Sequence, residues 1–505
     1  MSHAAKTAEF AAHRTAAGGL TWPAAISGVI LLGIVAGGSS EANSAAFTLF
    51  RLLSILLFAA ALLRLLQARL ALAERLALVI AGLAVVLVLL HLVPLPYGVF
   101  SELPGRGYVA TVFSVAGIPE RWMPLTLSPD ATWASLLALM PPIAIFLAAL
   151  TADPRGRWMI AGTILIGVVA NVLLGLAQRF QGPTSSLYLY EFVNSGLATG
   201  FFSNRNNFAM LLCLAIPLIW AVTHKLSRRS RNNKLVVLAA GAVMMGSVFI
   251  GLAVSASRSG ILLGMLALAL STVMIWTPSS SRNSSRTRGA LLAILAAGLI
   301  IGQFGMIGIL RIAETDPVTE YRTQIRQVTL GAASDYLPLG SGFGTFEAVY
   351  AMHETPATML SAYVNHAHND WLELWLEGGV PAAILMMAFI ILFIWQAARI
   401  WNPKGPYASH VLPRAASIGV LVLMLHSLLE YPLRMPALAC VFALLLAVML
   451  SFPERSETTT TRRHRHNHEP SPEPATPVTG TSPPAFEVPG IGRLEARRRG
   501  VGARP

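Results

Sequence analysis

The run Leu76-Ala-Leu-Val-Ile-Ala-Gly-Leu-Ala-Val-Val-Leu-Val-Leu-Leu90 holds no charged side chain. About twenty such residues span the hydrocarbon core of a bilayer as a helix. A helix also satisfies its own backbone there, which a lone strand cannot do. Twelve runs of roughly this kind can be drawn. Besides the one near Leu76, they begin near Trp22, Ala46, Trp133, Trp158, Asn207, Leu235, Ile261, Gly289, Val380, Arg414 and Pro436. The reading is an all-α polytopic membrane protein with about 12 transmembrane helices. Pro141 and Pro142 predict a kink in the fourth span, because proline removes a backbone donor and crowds the preceding turn.

Composition agrees. Of 505 residues, 54% are hydrophobic and 12% are charged, about half the charged share of a soluble domain. Mean hydropathy is +0.61. The two cysteines, Cys213 and Cys440, lie inside apolar runs and offer no disulfide framework. The first run reads as a first span, not as a cleavable signal peptide.

The formal net charge is +13, which raises the question of nucleic acid. Its distribution answers with topology. With the N-terminus (Lys6, Arg14) in the cytoplasm, inside segments hold eighteen Lys and Arg and outside loops hold nine, the tail not counted. That is the positive-inside bias, and no nucleic-acid partner is needed. An even number of spans puts both termini inside. The expected organisation is a cytoplasmic N-terminus over 1–21, a membrane domain over 22–452 and a basic cytoplasmic tail over 453–505. The tail is rich in Pro, Thr and Arg, poor in large apolar residues, and reads as disordered. It suits a solvated position near anionic lipid. Metal binding by His464, His466 and His468 is the weaker alternative.

Three outside loops are long, at about 94–132, 178–206 and 311–379. Long connections between short ones usually carry function. An enzyme acting on lipid-linked substrates outside the cytoplasm needs this arrangement, and so does a transporter with an external gate.

Several outside arginines stand at membrane edges. Arg205 lies in Phe202-Ser-Asn-Arg-Asn-Asn207, and Arg258 in Ser255-Ala-Ser-Arg-Ser-Gly260. Arg322 and Arg326 are four apart, so on a helix both project from one face. A guanidinium fork fits phosphate oxygens in pairs. The alternatives are snorkelling, or pairing with Glu314, Asp316 or Glu320.

Asn365-His-Ala-His-Asn-Asp370 reads as a loop entering a helix. Asp370 and Glu373 have capping-box spacing. Trp371 to Leu376 suits the membrane interface. Gly378-Gly379 ends the helix and Pro381 opens the next span. His368 therefore precedes a helix N-terminus, whose positive field disfavours an imidazolium. A neutral His there can take a proton from a sugar hydroxyl. A loop His without chemistry and a metal site built with His366 and Asp370 are the alternatives.

His368-Asn369, nine residues, Gly379, two residues, Ala382 resembles the signature of the O-antigen ligase and O-antigen polymerase superfamily. Ala382 departs from the Gly, Thr or Tyr usual in the last place. Arg322, followed eighteen residues later by Gly340-Ser-Gly-Phe-Gly-Thr-Phe346, is similar to the family's Arg and Gly-x-Gly-x-Gly-x-Phe pattern. Arg326 stands where Trp is common. Gly200 to Ala209, Ser257-Arg-Ser-Gly260 and Tyr431-Pro-Leu433 resemble further family segments in the same order, and the likeness spans roughly residues 20–452.

The resemblance implies a GT-C-like fold with short helices in the large periplasmic loop. It implies a metal-independent, inverting glycosyltransferase without cofactor, at the periplasmic face of the inner membrane. The donor would be an undecaprenyl-diphosphate-linked oligosaccharide and the acceptor a glycan or glycolipid, with a chain-length regulator as a further partner. His368 would be the catalytic base. Arg258 and Arg322 would hold the diphosphate, with Arg205 a third. His366, Arg326 and Asn369 are possible supporting residues. The wording Ala367-His-Asn-Asp-Trp-Leu-Glu-Leu-x-x-Glu-Gly-Gly379 leans toward a polymerase of O-antigen or exopolysaccharide repeats. A ligase acting on lipid A core or protein is the alternative. A flippase would show internal repeats and mid-span acidic sites. No repeat is visible, and Arg51 and Glu430, near span ends, are the exceptions to scarce mid-span charge.

Overall fold

The computed structural model describes residues 3–39, 44–230, 232–276, 317–360, 363–405, 407 and 410–451. The expected span near Gly289, Glu314, Asp316, the Glu320 side chain and the tail histidines lie outside the described residues.

Seven helices among the described residues are long and apolar enough to cross a membrane, and four shorter apolar helices accompany them. The chain is a polytopic helical membrane protein. In order the elements are α1 (His3–Ala36), α2 (Ala45–Leu65), α3 (Leu72–His91), β1 (Pro94–Leu95), α4 (Tyr97–Glu102), α5 (Gly107–Val115) and β2 (Met123–Pro124). There follow α6 (Pro129–Ala138), α7 (Met140–Leu150), α8 (Pro154–Gln181), α9 (Arg205–Arg229), α10 (Lys234–Ser255) and α11 (Arg258–Trp276). The last are α12 (Pro317–Asp335), α13 (Phe346–His353), α14 (Asp370–Trp401), α15 (Val411–His426), a 3-10 turn (Pro432–Arg434) and α16 (Pro436–Leu450).

Helix starts follow capping chemistry. Asp153 accepts from Gly156 N at 2.9 Å and is followed by Pro154. Asn204 accepts from Asn206 N at 2.8 Å and opens α9. Each cap satisfies a backbone donor that the first turn leaves unpaired. The fourth span breaks between α6 and α7, just before Pro141-Pro142, as proline geometry requires.

α9 is the central helix, with 78% of its apolar window buried, against 22% for α3. The exposed residues of the outer helices are large and apolar, such as Leu49, Leu56, Val79 and Leu83. A helix apolar on its outward face fits lipid, not water. The main core joins α1, α2, α7, α8, α9, α15 and α16.

A second, smaller core lies in the loop layer, from Ile325 and Tyr336 of α12 and its end to Phe346 and Val349 of α13 and Leu376 of α14. The first loop joins this layer. β1 pairs with β2, and Leu127 N donates to Ser341 O at 2.9 Å. The second loop is tied by Gln178, whose Oε1 accepts from Thr199 N and Gly200 N. α14 breaks at Gly379, which has φ +55° and ψ −147°. Gly340, at φ +84°, packs against that break, and a Cβ on it would lie 2.4 Å from Glu377 O. Only glycine meets both demands at once.

Candidate functional site

His368 sits two residues before α14, and its backbone is left-handed at φ +49°. Such a conformation costs a non-glycine residue about 1–3 kcal/mol and persists only when its surroundings hold it. They do here. Ala367 N donates to Glu373 Oε2 at 2.9 Å, and Asn369 Oδ1 accepts from Leu372 N at 3.1 Å as the α14 cap. Asn369 is thus the cap, and the expected capping box on Asp370 does not form. Asp370 Oδ2 instead accepts from Ser427 Oγ at 2.8 Å and from Leu433 N at 3.2 Å. Its carboxylate ties α14 to the turn before α16.

Glu430 lies in that turn and is fully buried. His368 Nδ1 donates to Glu430 Oε2 at 3.0 Å. A carboxylate only accepts, so the neutral imidazole carries its proton on Nδ1 and keeps its lone pair on Nε2. Glu430 Oε1 accepts from the guanidinium of Arg322 and from the side-chain amide of Asn206. Asn206 Oδ1 in turn accepts from Ser257 Oγ at 2.7 Å. Ser257 precedes Arg258, and Ala256 at φ +51° turns the chain between α10 and α11. One hydrogen-bonded network therefore joins the second-loop exit, the Ser257-Arg258 turn, α12, the histidine segment and the last turn. Burial pushes the Glu430 carboxyl up, but the His368 hydrogen bond and the Arg322 charge outweigh it and hold the group at about 2.

A second network lies beside the first. His366 Nδ1 donates to Glu373 Oε1 at 3.0 Å. Arg434 reaches Glu377 Oε2 at 2.8 Å and Glu373 Oε1 at 3.4 Å. Burial works against the Arg434 charge, but Glu373 and Glu377 outweigh it and hold the guanidinium above its ordinary value. Glu377 Oε1 also accepts from Gly344 N at 2.8 Å, which fixes the glycine loop. The Tyr431 ring separates the two histidines, with centroids 4.3 Å from His366 and 5.0 Å from His368. Burial, then the Glu430 charge, pushes the Tyr431 hydroxyl well up, so it stays neutral.

Residues 240–387 match the O-antigen ligase family model. This match supports the O-antigen ligase and polymerase superfamily for that stretch of the chain. No curated protein matches the chain. The ligase domain match contains Ser257, Arg258, Arg322, the glycine loop, His366 and His368, while Asn206 and Glu430 lie outside it.

Arg205 and Arg258 occupy the first positions of α9 and α11 and are half-buried. Arg322 finds its partner in Glu430, 108 residues away. Its Nε has no hydrogen-bond partner among the described residues. Arg326, one turn on, likewise leaves Nε without one among the described residues. His366 is held on Glu373 and not on the His368 network. Among the described residues, no group of three or more His, Cys, Asp or Glu is placed to hold a metal ion. Arg106, one of the outside arginines, is a carbonyl clamp. It is fully buried and donates to Pro104 O, Leu125 O and Gly340 O at 2.8, 2.8 and 2.6 Å.

Glu430, Asn206, Ser257 and Tyr431 complete the candidate site, and none of them stands out as a site residue in the sequence. The available signal for Glu430 was an acid at a span end directly before Tyr431-Pro432.

The Glu430 position makes a pH prediction. Its folded value of about 2 lies below the ordinary 4.5. Its contribution to stability is therefore present above about 4.5 and lost as pH falls toward 2. Melting of the detergent-solubilised protein is expected to drop across that window, with the drop smaller in Glu430→Gln. Parallel wild-type and variant curves would count against the ion pair.

Proposed function

We propose that the protein transfers an undecaprenyl-diphosphate-linked glycan to an acceptor hydroxyl at the periplasmic face of the inner membrane, polymerising O-antigen or exopolysaccharide repeats. The observation that carries this reading is the network that gathers five separate segments around His368. Glu430 fixes the His368 tautomer and leaves Nε2 as the base. Nε2 takes the acceptor proton, and the acceptor oxygen attacks the anomeric carbon. The bond from that carbon to the diphosphate oxygen breaks, and the diphosphate leaves with the electron pair. Attack opposite the leaving group inverts the anomeric centre.

The leaving group gathers negative charge as it departs. Preorganised positive groups aimed at such charge are the largest common source of rate enhancement. Arg258, Arg205 and Arg322 are the groups proposed for it. A cation in the first turn of a helix is the wrong sign for the helix dipole. Arg205 and Arg258 both stand there, and a bound anion relieves the conflict. Arg258→Lys keeps the charge and loses the fork. Its kcat/KM is expected to fall on the order of tenfold, about 1.4 kcal/mol, measured with a lipid-diphosphate donor in proteoliposomes. An unchanged rate removes Arg258 from the clamp.

The matched family description, O-antigen ligase, favours a second reading, transfer of a finished glycan to lipid A core. Complementation separates the two. Long-chain ladders in a polymerase-null strain support polymerisation. Restored capping of core only in a ligase-null strain supports the ligase reading and overturns the first.

A further inference from the structure

Helix α5 has no buried residue. It is also uncharged, since no Asp, Glu, Lys or Arg occurs from Gly107 to Ile118. Tyr108, Val112 and Val115 are 63%, 42% and 84% exposed, and Trp122 beyond them is 66% exposed. Apolar side chains occupy more than one face of it. In water this helix has little to hold it. Isolated helices shorter than about 12–15 residues are marginal even with good helix formers, and α5 rests no apolar face on the core. The Thr111 hydroxyl is turned onto Gly107 O at 2.9 Å, which satisfies it without solvent.

The surroundings point to one occupant. The segment leaves α3 at its His91 end and returns into the membrane through α6, so both of its ends are anchored at the bilayer boundary. α3, which leads into the segment, shows Leu83, Val86 and Leu90 exposed, a surface that meets lipid. The apolar surface of α5 packs on α4, whose Tyr97 ring stacks on Phe113 with centroids 6.5 Å apart. Its edges carry Tyr97, Tyr108 and Trp122, the ring types enriched where hydrocarbon meets headgroups. Arg121 lies with its guanidinium 5.6 Å over the Phe113 ring, an arrangement that lets the charge reach headgroups from an apolar segment.

We propose that α5 and the turn to Trp122 lie within the bilayer leaflet on the site's side, as an interfacial helix covered by lipid acyl chains. This has a mechanical consequence. Arg106 precedes α5 directly, and its guanidinium holds Gly340 O and Leu125 O. Gly340 packs on the α14 break at Gly379. The depth of α5 in the leaflet thus sets the height of the glycine loop, and of the α14 entry that carries His368, above the membrane.

The test uses the full chain, in which Cys213 and Cys440 are both buried. A Val115→Cys variant is labelled with an environment-sensitive fluorophore and reconstituted in phosphatidylethanolamine–phosphatidylglycerol vesicles. Ala357→Cys, in the third loop, serves as the aqueous control. The Val115 label is expected to be blue-shifted, to be quenched several-fold by doxyl-labelled lipid, and to resist iodide, whereas the Ala357 label shows the reverse. Adding Val112→Asp is expected to raise iodide access at position 115 with the melting temperature nearly unchanged, because α5 adds nothing to the core. Iodide quenching at position 115 equal to the control, with no doxyl effect, overturns the proposal. So does a blue-shifted label insensitive to doxyl lipid, which would mean that protein covers the helix.

Discussion

His368→Ala is expected to leave the protein in the membrane at its normal level and to reduce glycan transfer about 10²–10⁴-fold, the usual worth of general acid–base help. The structural side of this expectation comes from the location of the residue. The His368 side chain is 22% exposed and sits in a loop, so removing it opens no buried cavity. Glu430 loses one hydrogen bond and keeps those from Arg322 and Asn206. The α14 cap belongs to Asn369 and stays intact. The chemical side follows from Nε2, which the Nδ1 hydrogen bond to Glu430 leaves as the basic nitrogen for an acceptor hydroxyl. Membrane fractions and the glycan ladder are read together. A normal ladder at normal protein level would sink the base assignment. A missing ladder with missing protein would instead expose a folding role and leave the rate question to a conservative His368→Gln variant, which must also be inactive.

Much of the framework is legible in the sequence because membrane burial writes itself in composition. A span must be apolar along its whole length, so the expected starts near Ala46, Leu235 and Pro436 fall at or beside the ends of α2, α10 and α16. The family resemblance singles out His368 by its spacing to Gly379, whose positive φ breaks α14. Its partner is not legible in the same way. Glu430 pairs with His368 across 62 residues and with Asn206 across 224, and nothing local in either segment states that they meet. Asp370 shows the same limit from the other side. Its spacing to Glu373 satisfies the capping rule, yet Ser427 and the Leu433 amide claim its carboxylate, and Asn369 takes the cap. Arg106 and Arg322 look alike in sequence, as isolated outside arginines. One closes on three carbonyls and the other on a carboxylate, and only packing distinguishes the two.

Glu430→Gln is expected to lower kcat on the order of 10²–10⁴-fold with KM for the donor nearly unchanged, and the reason lies in which atom faces which. Two N–H donors, from Arg322 and Asn206, converge on Oε1. A glutamine must keep its amide oxygen there, because its NH₂ would meet donors. The NH₂ then takes the place of Oε2 and points at His368 Nδ1. Nδ1 is forced to accept, the imidazole proton moves to Nε2, and the lone pair that should take the acceptor proton is gone. The same exchange of carboxylate for amide in a Ser-His-Asp triad costs on the order of 10⁴ in kcat for the same tautomeric reason. Glu430→Ala fails differently. It strands the Arg322 charge and two buried polar groups, and losing one partner of a buried ion pair destabilises by about 3–5 kcal/mol. Lower protein yield is therefore expected for Ala and not for Gln. The informative comparison is Gln against wild type at equal folded protein. A wild-type kcat in that variant would mean that Glu430 only holds segments together and that the His368 tautomer is set elsewhere. A raised KM with kcat intact would move Glu430 from orienting the base to organising the arginines.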